Sequence, residues 1–254
     1  MWDEMVDVVA VGAGPGVLAC AIAAVDAGLD VLVARPGTGT PVDVSGPRGW
    51  LPVLDDPDST AYFDALAEEL PTVTLADDAA ELQVRALHEV RVDTSRRAQV
   101  ETFVGSRLGV WAATCIASPY GLLFTRVDHW PTTTMRTSGG KSFEVATLDE
   151  TGPADRTFTE RLDALVADRD IDVVEDSPLQ RFVFEEGEIA GVVVDSPDGP
   201  WAVQARVGIV VTSPNPAPAD ERILAADSRI SLVGLKAGRF GRVEVLSATE
   251  SQDG

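Results

Sequence analysis

Asp7-Val-Val-Ala-Val-Gly12-Ala-Gly14-Pro-Gly16 is the stretch that decides the fold of this 254-residue chain. The run Val6–Val11 is short, rich in valine and followed by glycine, which is typical of a strand buried on both faces. Val17–Ala27 is rich in Ala, Leu and Ile, and it predicts a helix that Gly28 ends at the C′ position. Asp30–Ala34 predicts a second buried strand.

The order strand, glycine loop, helix, strand is the context that a dinucleotide-binding loop requires. Gly12 permits a tight turn after the first strand. Gly14 lets the backbone approach a pyrophosphate, whose charge is favoured at the positive end of a helix. The third motif position, which usually holds Gly or Ala, is Val17, although Gly16 precedes it. The methyl groups of Val17 are expected to crowd the pyrophosphate. The acidic residue that binds the ribose in such sites is replaced by Arg35, which has only hydrogen-bond donors.

The stretch Asp7–Gly16, taken with Val31-Leu-Val-Ala-Arg35, resembles the opening of FAD-dependent oxidoreductases. It is most similar to the fumarate reductase and 3-ketosteroid dehydrogenase group. Residues 155–214 resemble the same family, in which a helix, a strand, a β-meander and a last strand follow in this order. The family's last strand ends in Ala-Thr-Gly-Gly, which touches the cofactor. Thr212 matches that motif, whereas Ser213-Pro214 stands in place of its two glycines.

The predicted fold class is therefore α/β, a Rossmann-like FAD/NAD(P)-binding fold with a β-meander and an inserted β-rich segment. We expect a dinucleotide-binding-type domain over 1–71 and 151–247, the inserted segment over 72–150, and a polar tail over 248–254. The segment contains a hairpin that turns at Ser138-Gly139-Gly140. Asp58 or Ser59 is expected to cap a helix that runs to Leu70, and Thr157 is a candidate cap of an amphipathic helix over Phe158–Arg169. Separate strands are expected over 201–205 and 207–212.

Charge and cysteine content exclude several classes of protein. The 20 Lys and Arg residues against 41 Asp and Glu residues give a net charge of −21, which disfavours nucleic acid as a partner. The acidic N-terminus is unlike a signal peptide, and glycines and aspartates break the longest apolar run, so we expect no transmembrane segment. Cys20 and Cys115 are far apart and suggest no disulfide or metal site, which favours a cytoplasmic location. His88 and His129 lie in no recognisable catalytic motif, so no catalytic residue is predicted.

The resemblance implies five candidate cofactor-binding residues: Gly12, Gly14, Gly16, Arg35 and Thr212. Departures from the motif at Val17, Arg35 and Ser213-Pro214 favour a truncated, degenerate flavoprotein-like protein with weak FAD binding or none. Such a protein would have lost redox chemistry and would act as a binding or assembly subunit. One alternative is an active FAD-dependent oxidoreductase on a steroid-like or other hydrophobic substrate, completed by a partner chain. Another is a dinucleotide or anion sensor that uses Arg35.

A protein partner or self-association is expected from aromatic residues in the segments least like the family. They would form an exposed apolar patch that a second protein or a second copy covers. The alternative is that they form the core of the inserted segment. These residues are Trp50, Trp111, Tyr120, Phe124 and Trp130.

Overall fold

The computed structural model describes residues 1–37, 50–71, 81–89, 105–126, 132–149, 154–217, 220 and 222–247. The helices in this part of the chain are α1 (Pro15–Asp26), α2 (Pro57–Glu68), α3 (Gly105–Ile116) and α4 (Phe158–Asp168). The first strands are β1 (Glu4–Val11), β2 (Val31–Ala34), β3 (Val84–Ala86), β4 (His88–Glu89), β5 (Gly121–Phe124), β6 (Thr133–Arg136) and β7 (Ser142–Thr147). The remaining strands are β8 (Val173–Val174), β9 (Leu179–Glu185), β10 (Glu188–Val194), β11 (Trp201–Thr212), β12 (Arg229–Gly234) and β13 (Phe240–Ser247).

The parallel core of the sheet has the order β11-β1-β2-β8. The predicted succession of strand, glycine loop, helix and strand is confirmed by β1, α1 and β2. Gly28 follows α1 with φ +75°, a left-handed conformation that suits the C′ position. Residues 16–24 of α1 are all buried, because the helix packs on β1, β2 and β11 and also contacts α4.

Beyond β11 the sheet continues through β5, β13, β12, β7, β6 and β4. Strands that lie within 72–150 therefore hydrogen-bond into the same sheet as the parallel core. The hairpin of β6 and β7 confirms the predicted turn, where Gly140 has φ +82°. Two-residue strands, β4 and β8, stand at the two ends of this order.

The expected break between 201–205 and 207–212 is absent, because both stretches belong to the single strand β11. Its first part pairs with β10 on one side, and its last part pairs there with β5. β1 pairs with both parts from the other side. One long strand therefore joins the β-meander to the rest of the sheet.

The inserted segment contains a helix as well as strands, which the prediction of a β-rich segment missed. Helix α3 includes residues that favour strands, such as Val110 and Thr114. Its buried side chains include Trp111, Ala112, Cys115 and Ile116, and the spacing i, i+1, i+4, i+5 is helical. Packing of this face against the sheet outweighs the local β propensity.

Helix α2 begins at a different residue from either of the two that we expected. Asp56 is its N-cap, and its carboxylate accepts a hydrogen bond of 2.9 Å from the Ser59 backbone N–H. Pro57 holds the first helical position, where its missing N–H costs nothing. Helix α4 has the predicted Thr157 cap, reinforced by the Glu160 carboxylate as a capping box.

The expected exposed aromatic patch is wrong for three of its residues. Trp50, Trp111 and Tyr120 are buried. The indole N–H of Trp50 donates to the Ser118 carbonyl at 3.1 Å, and that of Trp111 donates to the Phe240 carbonyl at 2.9 Å. The two indole side chains can lie in the core because their N–H groups find backbone acceptors there. Phe124 is partly buried, and Trp130 and His129 lie outside the described residues.

A buried ionic cluster joins the strands from the segment to the last strand of the sheet. The Glu244 carboxylate on β13 is fully buried and accepts hydrogen bonds from Arg85 Nε at 2.6 Å and Arg242 Nη2 at 2.6 Å. Burial alone would raise the pKa of Glu244, but the hydrogen bonds and charges of the two guanidinium groups outweigh it and lower the pKa. Arg85 also lies 4.7 Å from the ring centre of Phe143, and Arg242 lies 5.7 Å from that of Trp111.

We predict that Glu244→Gln lowers the free energy of unfolding by about 3–5 kcal/mol, because it leaves the buried Arg242 and the partly buried Arg85 without a counter-charge. Chemical denaturation at neutral pH measures this loss. Since folding lowers the pKa of Glu244, its stabilisation is complete above the unfolded-state pKa and is lost as pH falls through the folded-state pKa. The difference between the two proteins should therefore shrink at acid pH.

The matched control is Glu89→Gln on the exposed strand β4. We expect it to change stability by less than about 0.5 kcal/mol. Equal effects of the two substitutions would show that the cluster does not stabilise the sheet.

Candidate functional site

The carboxyl ends of the parallel strands bring the candidate residues to one edge of the sheet. Gly12 follows β1, Arg35 follows β2, and Thr212 ends β11. Glu175, which the sequence analysis did not single out, follows β8. This edge is where open α/β sheets bind ligands.

The turn after β1 requires glycine. Gly12 has φ +129°, and a Cβ atom there would lie 2.3 Å from Thr212 Oγ1 and 2.8 Å from the Thr212 carbonyl oxygen. Any side chain would therefore be both strained and blocked. The loop is held tightly against the end of β11.

Gly14 also lies in close contact with other parts of the protein. Its N–H donates a buried hydrogen bond of 3.2 Å to Thr212 Oγ1. A Cβ atom on Gly14 would lie 2.8 Å from the carbonyl oxygen of Pro119, in the turn between α3 and β5. In a dinucleotide-binding loop the second glycine leaves space for a pyrophosphate. Here the Thr212 hydroxyl and the Pro119 carbonyl oxygen border that space.

Most backbone amides of the loop already have acceptors within the protein. The Gly12 N–H donates to the Ala34 carbonyl at 3.2 Å, and the Ala13 N–H donates to the Ser213 carbonyl at 2.9 Å. Pro15 has no N–H. From 12 to 16, only the amide of Gly16 has no acceptor among the residues that the structure describes.

The closest approach of helix to sheet occurs at Gly16. A Cβ atom there would lie 2.9 Å from Thr212 Cγ2 and 3.2 Å from Leu122 Cβ. Val17, by contrast, is fully buried in the apolar cluster under α1. The expectation that Val17 crowds a pyrophosphate is therefore wrong, since its side chain faces the core.

Arg35 is held at the end of β2 by the neighbouring strand. Its backbone N–H donates to the Val174 carbonyl at 2.9 Å, and its Nη1 lies 3.3 Å from Glu175 Oε1. The Arg35 side chain is 32% exposed and that of Glu175 is 58% exposed, so this ion pair stands in contact with solvent. The sequence shows an acidic residue directly after the short strand Val173–Val174, but it does not show that this strand lies beside β2.

The other reactive side chains are either buried or lie on a distant strand. Burial raises the pKa of the Cys20 and Cys115 thiols and keeps both neutral. His88 is exposed on β4, at the opposite end of the sheet from β8. Within the described ranges, no group of three or more His, Cys, Asp or Glu side chains is placed to hold a metal ion. No helix in those ranges has both the length and the apolar character needed to span a bilayer.

We predict that Val17→Ala lowers the free energy of unfolding by about 2 kcal/mol, because it removes fully buried methyl groups. It should leave the affinity for added FAD unchanged, because Val17 does not face the open side of the loop. Denaturant unfolding and calorimetric titration with FAD measure the two effects. Val53→Ala, at a residue that is 80% exposed, is the control and should change neither. A gain in FAD affinity would instead show that the Val17 side chain faces the cofactor site.

Three solved structures illustrate what this chain is similar to. A 3-ketosteroid-Δ4-(5α)-dehydrogenase from Rhodococcus jostii RHA1 is 17% identical with a TM-score of 0.33, and the match covers 83% of this chain and 46% of that one. A flavocytochrome c3 fumarate reductase is 16% identical with a TM-score of 0.30, over 80% of this chain and 33% of that one. A geranylgeranyl bacteriochlorophyll reductase-like protein from Thermoplasma acidophilum is 16% identical with a TM-score of 0.30, over 96% and 57%.

The chain spans less than half the length of the first two of these proteins. No protein of curated function matches the sequence. The family model described as FAD binding domain matches residues 7–233, which contain β1, the glycine loop, Arg35 and Thr212. This match covers most of the chain and confirms the resemblance drawn from the first motif: the chain belongs to the FAD binding domain family.

Proposed function

We propose that this chain keeps the FAD-binding fold without using FAD as a redox cofactor, and that it acts as a binding or assembly subunit. The observation that carries the proposal is the hydrogen bond from the Gly14 N–H to Thr212 Oγ1. A pyrophosphate at a helix N-terminus is held by backbone amides that point at it. Here the protein itself provides the acceptors for those amides.

The surroundings of the loop support the same conclusion. The Pro119 carbonyl oxygen stands beside Gly14, so a phosphate oxygen brought there would meet a like partial charge. Gly16 offers a single amide, and packing against Thr212 and Leu122 limits access to it. The residues present therefore do not fit a tightly held FAD pyrophosphate.

The ribose position adds a second obstacle. A ribose diol needs an acceptor at the end of β2, and Arg35 has only donors. Its ion pair with Glu175 also uses part of the charge that an anion sensor would need. The hypothesis of an anion sensor therefore has less support than the proposed function.

A second candidate function is an active FAD-dependent oxidoreductase, in which a partner chain or a second copy completes the site. The match of residues 7–233 to the FAD binding domain family favours it. It requires the Thr212 hydroxyl to leave the Gly14 amide and the turn at Pro119 to move away. Light scattering after size exclusion tests the expectation of a partner or of self-association.

We predict that the purified protein is colourless and that excess FAD raises its melting temperature by less than about 1 °C, because a ligand stabilises only above its Kd. Absorbance near about 450 nm, where oxidised flavin absorbs, and calorimetric titration give the two readouts. Stoichiometric bound flavin would overturn the proposal and establish the second candidate.

Variants at the ribose position and at the glycine loop separate the effects of the two obstacles on FAD affinity. Arg35→Glu alone places two carboxylates in contact, so the matched variant is the charge exchange Arg35→Glu with Glu175→Arg. We expect this exchange to gain less than about tenfold in FAD affinity, because the loop amides stay occupied. Adding Thr212→Ala frees the Gly14 amide and should raise the affinity further, by about tenfold or more for one charge-assisted hydrogen bond.

Thr212→Ser is the control for the loop, since it keeps the hydroxyl that accepts from Gly14. In the charge-exchanged background it should not gain affinity. If the charge exchange alone produces tight binding, the ribose position excludes FAD. The hydrogen bond between Gly14 and Thr212 then does not, and the proposal loses the observation that carries it.

A further inference from the structure

A cavity separate from the glycine loop lies over the antiparallel part of the sheet. Its volume is about 460 Å³, within the usual range for small-molecule sites. Side chains of β5, β12 and β13 line it, and most of this lining is apolar. They include Leu122, Phe124, Leu232 and Phe240, and Leu235 adds to the lining from the turn after β12.

Two cations stand at one edge of this cavity. Arg126 follows the end of β5, and Lys236 lies in the turn after β12. β5 and β12 run in the same direction, because each is antiparallel to β13, which lies between them. Their carboxyl ends therefore share an edge of the sheet, two strand spacings or about 10 Å apart.

Lys236 is the cation whose charge is not already compensated. Its side chain is exposed, and it forms no ion pair with any residue that the structure describes. The Arg126 guanidinium lies 3.4 Å from Glu188 Oε2 and 3.4 Å from the Ile189 carbonyl oxygen. In a chain with a net charge of −21 and only two lysines, Lys141 and Lys236, an amine that has no ion pair among the described residues and lies beside an apolar cavity is a local exception.

The third charged group restricts where a ligand charge can lie. Glu144 lines the cavity from β7, on the far side of β12 from β13. Its carboxylate oxygens accept hydrogen bonds of 3.0 Å from Thr132 and 3.0 Å from Thr134. Glu144 pairs with Gly234 in the strand register, two residues before Lys236, so it lies near the same edge of the sheet as the two cations. Because Thr132 and Thr134 hold its carboxylate on the β6 side, an anionic group is repelled from that side of the cavity and attracted to the side where Lys236 and Arg126 follow β12 and β5.

We propose that this cavity binds a small amphiphile with one anionic group, such as a medium-chain carboxylate. Its apolar body occupies the cavity between β5 and β12, and its anionic group pairs with Lys236. The inference goes beyond the proposed function, because it assigns a ligand of another class to a cavity whose lining contains none of residues 12–16.

The test uses two fluorescent probes that differ in charge. Anilinonaphthalene sulfonate is anionic, and N-phenylnaphthylamine is its uncharged counterpart. Lys236→Ala should weaken binding of the sulfonate by about three- to tenfold and leave the uncharged probe unchanged, since only the charge-assisted contact is lost. Lys141→Ala, in the turn of the β6–β7 hairpin, is the matched control and should affect neither probe.

A second variant fills the cavity. A Cβ atom on Gly234 would lie 3.7 Å from its nearest neighbour, the Phe240 carbonyl oxygen, and the backbone there does not have a positive φ. Gly234→Leu should therefore fold, with a melting temperature equal to or above that of the parent. It should abolish binding of both probes.

Competition with unlabelled ligands completes the test. Decanoate should displace the anionic probe from the parent protein, whereas decylamine should not. Displacement by decylamine, or by flavin mononucleotide but not by decanoate, would overturn the assignment of the ligand class. Retention of both probes by Gly234→Leu would overturn the assignment of the cavity, and an equal loss for Lys141→Ala and Lys236→Ala would remove the role of Lys236.

Discussion

The contact between Thr212 and the glycine loop is the constraint on which the rest of the site depends. The Thr212 hydroxyl accepts the Gly14 N–H, and its methyl group lies against Gly16. Because Thr212 ends β11 and the loop ends β1, this contact joins two neighbouring parallel strands to the start of α1. A family motif that elsewhere presents amides to a ligand is here satisfied by the chain itself. The glycines therefore have a role in the fold that does not depend on a ligand.

Much of the fold followed from local patterns in the sequence. The run from β1 to β2 was predicted because buried parallel strands are rich in valine, and because a glycine follows β1 and another follows α1. The hairpin of β6 and β7 and the cap at Thr157 were predicted because short motifs determine them. Helix α3 was missed because its residues favour strands locally, and only the sheet beneath it makes the helical spacing decisive.

The candidate site was harder to predict, because its contacts join residues far apart in the sequence. Thr212 was named, but its bond to Gly14 spans 198 positions. The pairing of Arg35 with Glu175 depends on which strand lies beside β2, and no pattern in the sequence states that neighbour. Val17 was misjudged for the same reason, since a motif gives its position along the helix but not the direction of its side chain.

The two short strands at the ends of the sheet affect how copies of this protein associate with one another. An open edge strand offers unpaired amides and carbonyls to any other edge that it meets, and natural sheets limit this by keeping edge strands short and charged. β4 and β8 have two residues each, and acidic side chains, Glu89 and Glu175, lie at their ends. Growth into fibres through these two edges is thereby disfavoured, and the longer edge that remains is β9, which pairs with β10 and with no other described strand.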